Sequence, residues 1–178
     1  MKITCSALLL LFFLSACNQE KAPKISPALR NKTVLRAFSD TTAQDTFKLV
    51  LEGDKPKDMA LHFSITTPGG QTIYNTVLKA SSLIENYKDN VDLGKEKKQL
   101  KFMQDEMGLF FDEENFLEPA VTADEQPDKN TPDKNFFTEL KQSGVNGFKY
   151  RLGKESNLYI AWSQKEKKVK TYYECCKP

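Results

Sequence analysis

The side chains of this 178-residue chain that could do chemistry are four cysteines, one histidine and an uneven spread of carboxylates. Cys175 and Cys176 are adjacent near the C-terminus. Adjacent thiols can close only a small, strained ring, which makes such a disulfide more reducible. Three readings stay open for the pair: thiols at a strand end, a vicinal disulfide, or redox or metal chemistry. His62 falls between Leu61 and Phe63 in an alternating run, opposite in phase to Leu61, Phe63 and Ile65, so the pattern turns it away from their face. No G-x-S-x-G elbow, P-loop or G-x-G-x-x-G is present. A tetrahedral zinc site is hard to assemble from one histidine and the Cys175-Cys176 pair. Asp128-x-Asn130 followed by Glu139 falls short of a calcium loop, because Pro132 and Asp133 stand where the loop needs a ligand and a glycine. Carboxylates are plentiful, but no pair stands out as acid and base. No catalytic residue, metal site or cofactor is therefore assigned.

The carboxylates do cluster. From Gln104 to Asp133 there are ten acidic residues and one lysine, and from Lys134 to the end ten basic and four acidic. Two solvated faces that attract each other account for this; the sharper reading is an acidic segment that meets a basic partner or a cation. The residues expected to form such a contact loop are Asp112, Glu113, Glu114, Phe116, Glu118, Asp124 and Asp128, with help from aromatic neighbours. The net charge of +2 gives no argument for nucleic acid.

At the N-terminus, Lys2 precedes an apolar run from Ala7 to Leu14 and then Leu14-Ser15-Ala16-Cys17. The run is too short to span a bilayer, which takes ~20 apolar residues. An ordinary secretory signal also ends in small residues, but cysteine directly after Ser15-Ala16 resembles the lipobox of bacterial lipoproteins. The resemblance implies cleavage by signal peptidase II before Cys17, a diacylglycerol on the Cys17 thiol and acylation of the new amino group. Each buried methylene contributes ~0.8 kcal/mol, so two or three chains would hold the protein on a membrane. Asn18 departs from the aspartate that retains such proteins at the inner membrane, which implies the outer membrane. The lone Glu20, in place of an acidic cluster, implies its periplasmic face. With Cys5 cleaved off and Cys17 alkylated, Cys175 and Cys176 would remain as a pair in an oxidising compartment. The style of the rest, rich in Lys, Asn and Phe with a Cys-Cys end, is similar to uncharacterised lipoproteins of Bacteroidota and implies no activity.

The elements that must position these residues follow from periodicity. Residues 1–16 read as signal peptide, 17–32 as lipidated cysteine and flexible tether with a reach of roughly 20 Å, and 33–178 as a single α+β domain. Strands are expected at Thr33–Phe38, Thr46–Glu52, Met59–Thr67 and Gln71–Leu78, the last two joined by the Pro68-Gly69-Gly70 turn. A helix capped by Ser82 and Glu85 follows, then a second over Gly94–Phe110. The tetrapeptide Pro-Asp-Lys-Asn occurs at 127–130 and again at 132–135. The second copy is expected to open a third helix, with Thr131 as cap and Gly144 as stop. Strands beginning at Phe148, Leu158 and Val169 close the chain. Phe47-Lys48-Leu49-Val50-Leu51 and Phe148-Lys149-Tyr150-Arg151-Leu152 resemble each other. The fold expected is an antiparallel sheet, sandwich-like or half-barrel, built from N- and C-terminal strand sets that pair with each other, with three helices inserted. Of Tyr172 and Tyr173, one is expected on the outer face unless helices cover both sides of the sheet. The function expected is a membrane-anchored envelope lipoprotein that binds a protein partner or small ligand without catalysis; the alternatives are an inhibitor or immunity protein against a secreted enzyme, and a carboxylate-dependent hydrolase.

Overall fold

The computed structural model describes residues 25–176. The leader and Cys17 lie outside the described residues. The fold is α+β: two antiparallel four-stranded sheets and three helices, not a closed barrel.

The first sheet runs β1 (Asn31–Ala37), β2 (Gln44–Glu52), β3 (Ala60–Thr66), β4 (Thr72–Lys79), each strand pairing with the next. Alternation in β2 buries Asp45, Phe47, Leu49 and Leu51 on one face, and Leu61, Phe63 and Ile65 of β3 join them. Asp45 is fully buried yet satisfied, accepting from the Ser39 amide at 2.6 Å and the Ser39 hydroxyl at 3.0 Å. His62 lies on the opposite face, 3.3 Å from Glu52. Helices α1 (Ala80–Tyr87) and α2 (Glu96–Leu109) come next. The second sheet is β5 (Phe116–Leu117), β6 (Gly147–Arg151), β7 (Asn157–Ser163), β8 (Lys168–Cys175), again in chain order, with α3 (Lys134–Ser143) between β5 and β6.

The two strand sets do not share a ladder, contrary to expectation. They face each other instead, because each presents large rings that need a common interior. Phe148 of β6 lies 5.3 Å from Phe47 and 5.3 Å from Phe63, ring centre to ring centre. Phe110 and Phe111, just beyond α2, close on the same group. Phe47 and Phe148, which head the two similar sequence segments, thus meet across the interface from the second strand of each sheet. The exposed edge at β1 carries Lys32 and Arg36, which bond the Gly108 carbonyl and Glu113, and a charged edge resists strand addition.

A second, smaller core lies on the other face of the second sheet. There Phe136, Phe137 and Leu140 of α3 pack with Ala161 and Tyr172. The second sheet is therefore covered on both faces. The acid-rich and base-rich parts of the chain meet here too, with Lys170 2.8 Å from Asp133.

Three local expectations change. Helix α1 begins at Ala80, with no side-chain cap from Ser82. Ala80 is itself buried and donates its amide to the Met59 carbonyl at 2.9 Å, so the chain enters the helix directly from β4. The cap of α3 is Asp133, not Thr131. The tether expected to reach residue 32 is already folded at Ile25, which is buried in the main core, and Arg30 donates to the Gly53 carbonyl at 2.6 Å.

Candidate functional site

On the α3 side of the second sheet, the segment that follows β5, from Glu118 to Asp128, borders a cleft of about 500 Å³. Its floor is Tyr159 of β7 with Tyr172 and Tyr173 of β8, and its rim carries Glu118, Glu125, Gln126 and Asp128. That volume falls in the range of small-molecule sites.

Neighbouring residues on a strand normally point to opposite faces, so Tyr172 and Tyr173 should not share a floor. A bulge resolves this. Tyr159 pairs with Tyr173 while Ile160 pairs with Thr171, which leaves Tyr172 as the extra residue. Both rings then sit beside Tyr159, at 6.0 Å for Tyr172 and 5.3 Å for Tyr173. The expectation that one would lie on the outer face is corrected by this one-residue slip.

Each polar group of the cleft has a definite state. The buried Tyr172 hydroxyl donates to the Ala120 carbonyl at 2.9 Å. The Tyr173 hydroxyl donates to Asp128 Oδ2 at 3.1 Å and accepts from Asn130 Nδ2 at 3.2 Å. Among the described residues the Tyr159 hydroxyl has no hydrogen-bond partner, so it faces the cleft available to a ligand. Burial raises the pKa of Tyr159, and the Tyr173 and Glu125 charges raise it further. Burial likewise raises that of Tyr172. Both phenols therefore stay protonated near neutral pH and act as donors. Glu125 accepts from the Thr122 amide at 2.6 Å and the Thr122 hydroxyl at 3.0 Å. Asp124 accepts from the same hydroxyl at 2.8 Å, which lowers its pKa.

Of the residues expected in a contact loop, Phe116, Glu118 and Asp128 line the cleft. Asp112, Glu113, Glu114 and Asp124 do not. Asp112 precedes a short 3-10 turn over Glu113–Asn115, and Glu113 pairs with Arg36. The Arg36 guanidinium in turn covers the Phe116 ring at 4.8 Å. Glu125 and Gln126 fall within the acidic segment expected to make contacts, Asp112 to Asn130, although their spacing alone does not mark them. Tyr159, Tyr172 and Tyr173 were visible only as aromatic density, and α3 had to be placed before they could be assigned to this face.

Cys175 and Cys176 are bonded to each other, with sulfurs 2.15 Å apart. Cys176 adjoins a separate depression lined also by Lys129, Asn130, Pro132 and Glu174. The Glu174 amide donates to the Asn130 carbonyl at 3.0 Å, tying the end of β8 to the loop. A further depression of about 560 Å³ lies between the start of β1 and α2. Its lining carries one charge of each sign: Lys32, which donates to the Gly108 carbonyl, and Asp105, which is held by Lys101 at 2.8 Å. Among the described residues no three His, Cys, Asp or Glu side chains gather closely enough to hold a metal ion. Glu139 is buried and accepts from the Ser163 hydroxyl at 3.0 Å and the Lys165 amide at 3.2 Å, whereas Asp128 serves Tyr173. No helix among them is long and apolar enough to cross a membrane.

No family model matches the chain, and none of the curated proteins or solved structures compared with it matches either.

Proposed function

We propose that this chain is an envelope lipoprotein, held on a membrane through Cys17, that works as a non-enzymatic binding module with the tyrosine-floored cleft as its ligand site. The observation that carries the reading is the cleft itself: tyrosine rings, three carboxylates and a phenol without a protein partner line a cavity of ligand size. Rigid strands supply the floor and a loop supplies the rim, the usual division between scaffold and binding surface.

The position of Ile25 sets the reach of the proposed anchor. Only residues 18–24 separate Cys17 from the folded domain, at most ~25 Å of extended chain. The domain would ride close to the headgroups. Two experiments test the reading. Washed membranes should retain the full chain and release Cys17→Ser; retention of the variant refutes anchoring through that thiol. Cross-linked capture from detergent-solubilised envelopes should give partners with the full chain and lose them with Tyr159→Ala. Equal capture by both refutes the cleft as the binding site.

A further inference from the structure

Taking the binding role of the cleft as its premise, we infer that the cleft selects a cationic amine: an alkylammonium group entering over the tyrosine floor between Glu118, Glu125 and Asp128. The residues lining the cleft include three carboxylates and no lysine, arginine or histidine. An anionic ligand would meet three like charges there. Lys141 reaches the edge of the rim, donating to the Glu125 backbone carbonyl at 2.7 Å, and its single charge leaves three lining carboxylates in excess.

Hydrogen-bonding capacity points the same way. A carboxylate only accepts, and an ammonium only donates. The Asp128 oxygens already accept from the Asn130 amide and the Tyr173 hydroxyl, yet each carboxylate oxygen offers a second lone pair. Glu118 has no protein partner among the hydrogen bonds and ion pairs of the described residues. A neutral polyol would need donors and acceptors in balance, and this rim is acceptor-rich.

The third line is the ring faces. A cation within ~6 Å of a ring centre is attracted by the π quadrupole. Around this sheet the protein already makes that contact with its own cations: Arg36 over Phe116, and Lys170 over Phe136 at 4.8 Å. Phe116 belongs to the cleft wall. The tyrosine floor offers the same surface with no internal cation on it. An alkyl stem would then lie along Pro119, Ala120 and Phe137.

The ammonium can come from a free diamine or from a lysine side chain of a protein, and both carry the same chemistry. The test uses the full chain in detergent micelles and follows the ring signals of Tyr159 and Tyr173 by NMR. The titrants are 1,5-diaminopentane, an N-acetylated lysine peptide, and the neutral and anionic isosteres 1,5-pentanediol and glutarate. The diamine, the peptide or both should shift the rings, and the isosteres should not. The diamine alone assigns a small-molecule amine; the peptide alone assigns a protein-borne lysine. Glu118→Gln and Glu125→Gln should each weaken amine binding about two- to fivefold, and high salt should weaken it further. Tyr159→Leu should cost about two- to fivefold, with Tyr159→Phe close to the parent. Pentanediol shifting the rings as strongly as the diamine, unchanged affinity in both glutamate variants, or no shift with any amine overturns the inference. For a protein-borne lysine the capture experiment with Tyr159→Ala decides the binding role separately, and for a free amine the Tyr159→Leu titration does, since unchanged affinity there takes the amine off the tyrosine floor.

Discussion

Gly147→Ala should deform the cleft from beneath. An added Cβ would stand 2.9 Å from both the Ala120 Cβ and the Tyr172 hydroxyl oxygen, and 3.1 Å from the Ala120 Cα. Comfortable contact between such atoms is about 3.5–4.0 Å, so something must move by half an ångström or more. The strand cannot, because β6 is paired on one side with β5 and on the other with β7. The neighbours that yield are Ala120, at the cleft wall, and Tyr172, in its floor. Overpacking of this kind costs ~1–3 kcal/mol, and losing the 2.9 Å bond from Tyr172 to Ala120 costs ~0.5–1.5 kcal/mol more. The total is about 2–4 kcal/mol, or a Tm lowered by roughly 5–15 °C for a domain of this size. Urea unfolding followed by the single tryptophan, Trp162, measures it. A double-mutant cycle isolates the cause. Tyr172→Phe alone should cost about 1 kcal/mol. Added to Gly147→Ala it should cost almost nothing, since the hydroxyl bond is already broken and one of the overlaps disappears, giving a coupling of about 1 kcal/mol. Gly147→Ala within ~0.5 kcal/mol of the parent, or a cycle additive to ~0.3 kcal/mol, refutes this packing.

Phe148→Ala should remove ~3–5 kcal/mol, because its ring joins both sheets and the end of α2; tryptophan fluorescence and far-UV circular dichroism should still report one coincident transition, and two separate transitions would refute the shared core. The hydrogen bond from Lys170, and then the Phe136 amide, hold the Asp133 carboxyl below the usual carboxylate pKa. Its contribution is therefore complete above about pH 4 and fades as pH falls through the depressed folded value. The stability gap between the parent and Asp133→Asn should narrow below that pH; a gap that stays constant down to acid refutes the pairing. Asp133→Ala should in addition lose the α3 cap, worth ~1 kcal/mol, read from the urea midpoint near neutral pH. Gly144→Ala should cost about 1 kcal/mol by the same assay, since Gly144 ends α3 at φ 61°; no loss would mean the helix stops differently.

Alternation and turns were legible in the sequence because they are local. The phase of Phe47, Leu49 and Leu51 placed the core face of β2, and the same logic turned His62 outward. The two copies of Pro-Asp-Lys-Asn show where local reasoning ends. In both, the aspartate accepts from the amide two residues on, Asp128 from Asn130 at 2.8 Å and Asp133 from Asn135 at 3.0 Å. After the first copy comes Thr131-Pro132, whose proline has no N–H to continue a helix, so a turn forms. After the second come Phe136 and Phe137, which bury against the second sheet and draw the chain into α3. Burial of an apolar face distinguishes the two, and that depends on a sheet remote in sequence. The cleft was half legible for the same reason. The acidic loop announced itself by charge, whereas its tyrosine floor depends on a bulge with no residue signature, and separate sheets rather than one depend on rings meeting across 100 residues of chain.

The proposed anchor and the cleft hang from different sheets. The chain enters beside β1, and the cleft opens on β7 and β8. Under the proposed arrangement, a ligand tugging against a lipid fixed in the bilayer would load the interface between the sheets, where no backbone ladder crosses and the resistance is contact among aromatic rings with side-chain hydrogen bonds such as Tyr74 to Tyr150 at 2.7 Å and Asn146 to the Ala37 carbonyl at 3.0 Å. Such an interface shears more readily than a ladder of amide bonds. Load passing between the two ends would be carried by side-chain contacts rather than by backbone pairing.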